Sequence, residues 1–200
     1  MCAKKGVPFN FCNQFDESGP NIVFAGRLIK GKGVDILIEA FYKTYQKNRN
    51  AKLWILGEGI EALAFISKVK SLGLDKNVYF VGMVDNVYDY FKSATLCVFP
   101  STRMEGLLTT VVEAMSVGSC VITTRGIGNE ELIEDGKTGV LVNANDVQSL
   151  HEAIENLISD SSLRDKIGKE AMMYVVENHS WKRIGLLLNQ MLTEIVETLK

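Results

Sequence analysis

A regular alternation of short apolar runs with segments of helical periodicity constrains the fold more than any other feature. Apolar side chains recur at helical spacing after the first run, at Val34, Leu37, Ile38, Phe41 and Tyr45. The apolar runs are three or four residues long, at 22–25, 53–56, 78–81, 96–99, 120–122 and 140–142. Continuous apolar runs are typical of parallel strands that are buried on both faces. The pattern predicts an α/β fold, a Rossmann-like doubly wound parallel sheet of about six strands with helices on both faces.

The last quarter of the chain carries helical patterns only, so a helical C-terminal tail is expected. Its predicted helices lie at about 147–157, 162–178 and 181–199, and shorter ones are predicted earlier at 61–72, 87–93 and 111–117. One apolar stripe follows the last helix through Ile184, Leu187, Leu188, Met191, Ile195 and Leu199. We expect this stripe to pack on the domain or to reach a partner domain.

Composition excludes several classes of protein. The 200 residues suffice for one domain, and the net charge of -2 with scattered Lys and Arg excludes a basic nucleic-acid surface. No apolar run approaches the roughly 20 residues that cross a bilayer. Lys4 and Lys5 precede no long apolar core, so no signal peptide is expected. Cys97 and Cys120 lie in apolar runs and are predicted to be buried free thiols, which fits a reducing cytosol.

The loop after the first strand, 26–33, joins that strand to the first helix. Doubly wound sheets bind ligands at the carboxyl ends of their strands, and helix N-termini attract anions. Arg27 and Lys32 add two charges there, and a forked guanidinium with a mobile ammonium suits a diphosphate. Two solvated loop cations are an equally good interpretation of position alone. Neither a GxGxxG fingerprint nor a Walker loop occurs here.

The loop after the fourth strand carries Glu105, and Glu113 follows eight positions later in the first turn of the predicted helix. Backbone N–H groups of Leu108, Thr109 and Thr110 can face a phosphate at that helix start. Glu113 could accept hydrogen bonds from ribose hydroxyls, and Glu105 from sugar hydroxyls. Spacing alone favours a capping box between Thr110 and Glu113, and Glu105 can equally be an exposed loop carboxylate.

Together these segments resemble the retaining glycosyltransferases of family four, which have the GT-B fold, over about 21–199. The order and spacing of five motifs carry the resemblance. They are Gly26-Arg27-Leu28 with Lys32-Gly33, Val78-x-Phe80-x-Gly82 with Asp85-Asn86-Val87, Glu105-Gly106-Leu107 through Glu113-Ala114-Met115, 136–142, and Ser180-Trp181. The resemblance implies that the chain is the C-terminal half of such a fold.

The resemblance also implies residue roles. Arg27 and Lys32 would neutralise the diphosphate, and Glu105 would contact the donor sugar, which makes these three the catalytic set. Glu113 would bind the ribose. The other substrate-binding positions implied by the matching motifs are Gly26, Met83, Val84, Gly106, Leu108, Thr109 and Thr110. Of these, the backbone near Met83 and Val84 would meet the base.

The chain departs from the family pattern in three ways. Leu108 stands where many members carry Gly or Pro, and 125–131 is a Gly-Asn variant of the commoner Gly-Gly-x-Pro-Glu loop. The acceptor-binding N-terminal half of the family is absent. Residues 1–20 are therefore expected to be the end of an interdomain linker, and 21–200 the donor-binding domain.

For the complete enzyme, the resemblance implies transfer of a sugar from a UDP- or GDP-sugar to an acceptor hydroxyl with retention, in surface polysaccharide or glycolipid synthesis. Arg27, Lys32 and the helix N-terminus would replace a metal ion, and no Asp-x-Asp motif occurs, so neither metal nor other cofactor is expected. His151 and His179 are expected at the surface. The fragment alone is expected to bind donor without transfer.

The expected location is the cytoplasm, with the inner face of the membrane as the place where such synthesis would occur. Any peripheral membrane contact would come through the missing half. Two alternatives stay open. One is another GT-B enzyme, a sugar-nucleotide epimerase or glycan phosphorylase. The other is a non-catalytic interaction domain of the same fold, which Leu108 would favour.

Overall fold

The computed structural model of the protein describes residues 18–103 and 109–198, and its centre is one parallel sheet. Six strands lie in the order β3-β2-β1-β4-β5-β6, and every neighbouring pair is parallel. The strands are β1 (Asn21–Ala25), β2 (Lys52–Leu56), β3 (Val78–Gly82), β4 (Leu96–Phe99), β5 (Val121–Thr124) and β6 (Val140–Val142). The strand order reverses between β1 and β4, which is the switch point where doubly wound sheets bind ligands. The predicted fold class is confirmed.

Eight helices connect and flank these strands in the described residues. They are α1 (Val34–Lys47), α2 (Ala62–Ser71), α3 (Val87–Ser93), α4 (Thr109–Ser116), α5 (Ile127–Leu132), α6 (Val147–Ser159), α7 (Ser161–Asn178) and α8 (Trp181–Thr198). Helix α5 was missed by sequence analysis because its six residues are too few for an apolar period of 3.6 to become visible.

The continuous apolar runs arise because both faces of the sheet are covered. Along β1, Ile22 and Phe24 join one buried cluster, whereas Val23 and Ala25 join the other. The first cluster lies under α1, α2 and α6, and the second lies under α3, α4 and α7. Successive side chains of a strand point to opposite faces, so a strand covered on both sides needs an apolar residue at every position.

The two cysteines of the apolar runs are buried free thiols, as predicted. Burial raises the pKa of Cys97 and of Cys120 to about 12. Both therefore stay protonated near neutral pH and act as small apolar side chains.

Helix α8 does not pack its apolar stripe on the domain, so the first of the two expectations was wrong, and contact with a partner domain stays a prediction. Leu188, Met191 and Ile195 are each more than half exposed. The apolar face is unusually wide, because Leu186, Leu192 and Val196 are also more than half exposed. None of the helices in the described part of the chain is long and apolar enough to cross a bilayer.

His151 is buried, so its predicted surface position was wrong, whereas His179 is half-buried. His151 lies on the side of α6 that faces α1, where its Nδ1 lies 3.0 Å from the Oγ1 of buried Thr44. A polar partner on the neighbouring helix makes a core position acceptable for the imidazole. Burial is the main cause that lowers the pKa of His151 below its ordinary value. The nearby charges are Glu152 and Glu155 on α6 and Lys43 and Lys47 on α1.

Acidification should therefore destabilise the protein through His151. An unfolded histidine has a pKa of about 6.5, and the folded value lies lower, so the unfolded chain takes up the proton first. The free energy of unfolding should fall as pH drops from 6.5 toward the folded pKa. Urea denaturation between pH 7.5 and 5.5 measures this decline. His151→Gln should flatten it, whereas the control His179→Gln should keep it. Equal slopes for wild type and His151→Gln would contradict the assignment.

Candidate functional site

The carboxyl ends of β3, β2 and β1 are joined by backbone hydrogen bonds between their loops. Gly57 N, after β2, donates to Gly82 O at the end of β3 over 2.7 Å. Leu28 N, after β1, donates to Glu58 O over 2.8 Å, and Leu28 O accepts from Glu61 N over 3.0 Å. These bonds make one continuous rim along this edge of the sheet.

The rim continues across the switch point, where the β1 loop contacts the β4 loop. Thr102 N and Ser101 Oγ both donate to Gly31 O, over 2.9 and 3.0 Å. Gly33, with φ 71°, is the N-cap of α1 and lies so close to Pro100 that an added Cβ would overlap the Pro100 carbonyl oxygen. The start of α1 is thereby fixed against the β4 loop. Its first N–H groups have no partner within the helix.

Arg27 and Lys32 both lie in this compact β1 loop, whose first residue is Gly26. Ile29 ties it together, because its N donates to Arg27 O over 3.0 Å and its O accepts from Lys32 N over 3.3 Å. Arg27 is exposed, and its guanidinium makes no hydrogen bond or ion pair with another residue of the described ranges. Lys32 is half-buried. The loop thus carries two cations at the start of α1, next to β4.

Met83 and Val84 follow β3 directly, at the opposite end of the rim from β4. Gly82 turns the chain here with φ 83°. Met83 is 75% exposed, whereas Val84 packs against the apolar cluster under α3 and α4. The predicted base-contacting segment therefore includes one exposed residue, and β2 and β1 separate it from the β4 loop.

The capping box predicted for Thr110 and Glu113 was wrong. Helix α4 begins at Thr109, so Thr110 is a helical residue and cannot be the N-cap. Glu113 accordingly lies in the second turn and not in the first. Its half-buried carboxylate has no hydrogen bond or ion pair to the described residues, and burial raises its pKa above the ordinary value of a glutamate. The predicted residues Glu105, Gly106 and Leu108 lie outside the described residues.

Two residues that contact this edge were missed by sequence analysis. Buried Asn129 on α5 donates to Thr124 O over 2.8 Å and to Thr123 Oγ1 over 3.1 Å. Thr124 Oγ1 in turn donates to Ser101 O over 2.6 Å, so α5 holds the β4 loop through β5. The only sequence feature that could have indicated Asn129 is its position after Gly126 and Gly128, just beyond the end of β5. Arg103 is the second missed residue, and it lies across Gly31.

The predicted ligand-binding residues that the structure describes all lie at this edge of the sheet. A groove of about 400 Å³ lies beside the edge strand β6, lined by residues that include Arg125, Leu141 and Ala153. Within 18–103 and 109–198, no three His, Cys, Asp or Glu side chains are grouped so that they could hold a metal ion.

Comparison with known proteins adds independent findings. The sequence profile described as Glycosyl transferases group 1 matches residues 9–173. The chain is 31% identical over 179 residues to the capsular polysaccharide biosynthesis glycosyltransferase CapM of Staphylococcus aureus, covering 86% of this chain and 47% of that protein. The chain therefore spans about half the length of this curated relative.

Two solved structures have the same fold. One is the C-terminal domain of a glycosyl transferase group 1 family protein, LpcC, from Francisella tularensis, with 29% identity and a TM-score of 0.75. That similarity covers 81% of this chain and 87% of the other. The second is Anabaena Alr3699/HepE in complex with UDP-glucose, with 23% identity and a TM-score of 0.78. It covers 90% of this chain and 49% of that one.

The contact between Gly33 and Pro100 can be tested against a glycine of matched conformation. Gly73 has φ 67°, like Gly33, but open space where its Cβ would be. Gly73→Ala should cost about 1–2 kcal/mol of stability because of its left-handed backbone alone. Gly33→Ala should cost about 1–3 kcal/mol more, because the methyl group overlaps Pro100. Urea denaturation of both variants measures the difference, and equal losses would contradict a close contact between the two loops.

Proposed function

The chain belongs to the glycosyl transferases group 1 family, and from this we propose that it is the donor-binding domain of a glycosyltransferase. The observation that carries the proposal is the contact of the β1 loop with the β4 loop at the switch point. It puts the start of α1 and the cation-bearing loop at the edge where doubly wound sheets take their ligands.

The proposed ligand is a nucleoside diphosphate sugar with uracil or guanine as its base. Arg27, Lys32 and the N–H groups at the start of α1, which have no partner within the helix, supply what a diphosphate needs, namely full positive charges beside fixed donors. A solved protein of the same fold carries UDP-glucose, which supports this class of ligand. The backbone after β3, at Met83 and Val84, would meet the base.

The remaining proposed contacts come from the β4 loop and α4. Glu113 would accept hydrogen bonds from the ribose, a role supported by its half-buried carboxylate, which has no partner among the described residues, and by exclusion of the Thr110 cap. Backbone groups of Leu108, Thr109 and Thr110 would face the phosphates, and Gly106 would be a further substrate-binding position. Glu105 would contact the donor sugar.

The chemistry proposed for the whole protein is transfer of the sugar to an acceptor hydroxyl with retention of configuration. When the glycosidic bond breaks, negative charge grows on the leaving diphosphate. Fixed positive charges aimed at that group stabilise the transition state more than the ground state. Arg27 and Lys32 would supply this stabilisation without a metal ion.

The chain alone should bind donor but transfer little, because we propose that the acceptor is bound by an N-terminal half joined through residues 1–20. The matched region covers only 47% of CapM, which supports a second half of similar size. The exposed apolar face of α8 also supports a further part of the protein, because apolar patches of this width are usually covered. Surface polysaccharide or glycolipid synthesis in the cytoplasm, at the inner face of the membrane, is the process we propose.

Calorimetric titration with UDP and with GDP tests donor binding. We expect saturable binding of at least one of them. Arg27→Ala or Lys32→Ala should weaken this binding about tenfold or more, the effect of losing roughly 1.4 kcal/mol or more. Binding of uridine or guanosine should be unchanged, since neither carries phosphate. The control Lys30→Ala removes an exposed cation from the same loop and should have little effect.

Two results would contradict the proposal. One is the lack of saturable binding of UDP and of GDP at millimolar concentration. The other is an equal loss of diphosphate and nucleoside affinity in the Arg27 and Lys32 variants.

The ribose contact of Glu113 can be isolated with 2′,3′-dideoxy analogues. Glu113→Gln should weaken UDP or GDP binding about tenfold, because hydrogen bonds to a charged acceptor contribute about 1.5–3 kcal/mol. The same substitution should change the binding of dideoxy-UDP or dideoxy-GDP less than threefold. Because burial raises the pKa of Glu113, affinity in the wild type should also fall on acidification at a higher pH than for an exposed glutamate. Equal losses for ribose and dideoxyribose ligands would exclude the contact.

A further inference from the structure

Arg103 lies over the β1 loop, although nothing in the sequence marked it. A Cβ added at Gly31 would come within 2.6 Å of Arg103 Cδ and closer still to Nε. The arginine stem therefore runs directly across Gly31, which stands between Lys30 and Lys32. Gly31 has φ 96°, so both its backbone and the crossing side chain favour the absence of a Cβ.

The backbone that leads to Arg103 is held by contacts with the β1 loop and with β5. Ser101 Oγ donates to Gly31 O and lies 3.5 Å from Arg103 O. Ser101 O accepts from Thr124 Oγ1 on β5, and Thr102 N donates to Gly31 O. The position of Arg103 over the β1 loop is thus set by the contacts that join the two loops at the switch point.

Three arginines elsewhere in the domain have side-chain partners, whereas Arg183 on α8 has none among the described residues. Arg49 donates to Gln46 Oε1, Arg125 pairs with Asp135, and Arg164 donates to two backbone carbonyls. Arg103 makes no side-chain hydrogen bond or ion pair with any residue that the structure describes. It shares this property with Arg27 in the adjoining loop. Two guanidinium groups without an acceptor among residues 18–103 and 109–198 therefore lie at the switch point, one from each of the two loops.

We propose that Arg103 is a third cation of the diphosphate site and contacts the phosphate to which the sugar is attached. This inference rests on the proposed function. The base is proposed to lie at the β3 end of the rim, so the ligand would run from β3 toward β4. The phosphate farther from the base is then the one nearer the β4 loop. A guanidinium can donate two parallel hydrogen bonds to its oxygens.

Such a contact would matter most when the donor is cleaved. The carbon–oxygen bond between the sugar and its phosphate breaks, and the bonding electrons stay with the phosphate oxygen. The sugar carbon bonds to the acceptor hydroxyl oxygen, and the hydroxyl proton goes to the leaving diphosphate. That phosphate gains negative charge, which a neighbouring guanidinium stabilises. Arg27 and Lys32 approach the diphosphate from the β1 side, whereas Arg103 approaches it from the β4 side.

Calorimetric titration of Arg103→Ala with UDP and UMP, and with GDP and GMP, tests the inference. We expect about a tenfold or greater loss of affinity for the diphosphate and less than a threefold loss for the monophosphate. Arg103→Lys should regain part of the lost affinity, because it restores the positive charge but not the two parallel hydrogen bonds of a guanidinium. The matched control Arg49→Ala removes one guanidinium at the amino-terminal edge of the sheet and should leave both affinities unchanged. Because Arg103 is exposed, its variants should melt within a few degrees of the wild type.

The outcomes separate this inference from the proposed function. If wild type binds UDP or GDP but Arg103→Ala binds them equally well, the inference is wrong and the proposed function stands. Equal losses for diphosphate and monophosphate would also contradict it, because they would point to the phosphate nearer the ribose. If wild type binds neither UDP nor GDP, the proposed function and this inference both fail.

Discussion

The backbone contact between the β1 loop and the β4 loop is the constraint on which the proposed site depends. Gly31 O accepts two hydrogen bonds from the β4 loop, and Gly33 allows Pro100 to approach more closely than any side chain would permit. Without this contact, the start of α1 would have no fixed relation to the residues that follow β4. The two loops come from neighbouring strands whose connections leave in opposite directions, which opens a crevice at this point of the sheet.

The rest of the sheet holds this contact in place. Burial of both faces fixes β1 and β4 side by side. The hydroxyl groups of Thr123 and Thr124 on β5 donate hydrogen bonds to Phe99 O and Ser101 O, which hold the start of the β4 loop. Asn129 on α5 adds further support, because its amide donates hydrogen bonds to the end of β5. Hydrogen bonds of this kind preorganise a ligand site, since they are made before any ligand binds.

The surface of the domain is consistent with a larger protein. Helix α8 exposes a wide apolar face, and the chain corresponds to about half the length of the curated relative CapM. The proposed division of labour follows from this: donor recognition lies in the residues of this chain, and acceptor recognition lies in residues outside it. Arg103 is proposed to add to donor recognition a cation from the β4 loop, on the side where the sugar is proposed to lie.

The sequence by itself determined the fold class, because a strand buried on both faces must be apolar at every position, and six such runs are visible. The bounds of β4 were predicted to the residue for this reason, and those of the helix α3 were also predicted to the residue. It also singled out Arg27, Lys32 and Glu113 as candidates. Only the tertiary structure decided which distant residues meet. Gly31 and Ser101 are 70 positions apart, and Thr44 and His151 are 107 positions apart. Local sequence patterns therefore did not indicate that His151 is buried or that Arg103 lies over the β1 loop. Both features depend on contacts between elements that are far apart in the sequence and meet only in the folded domain.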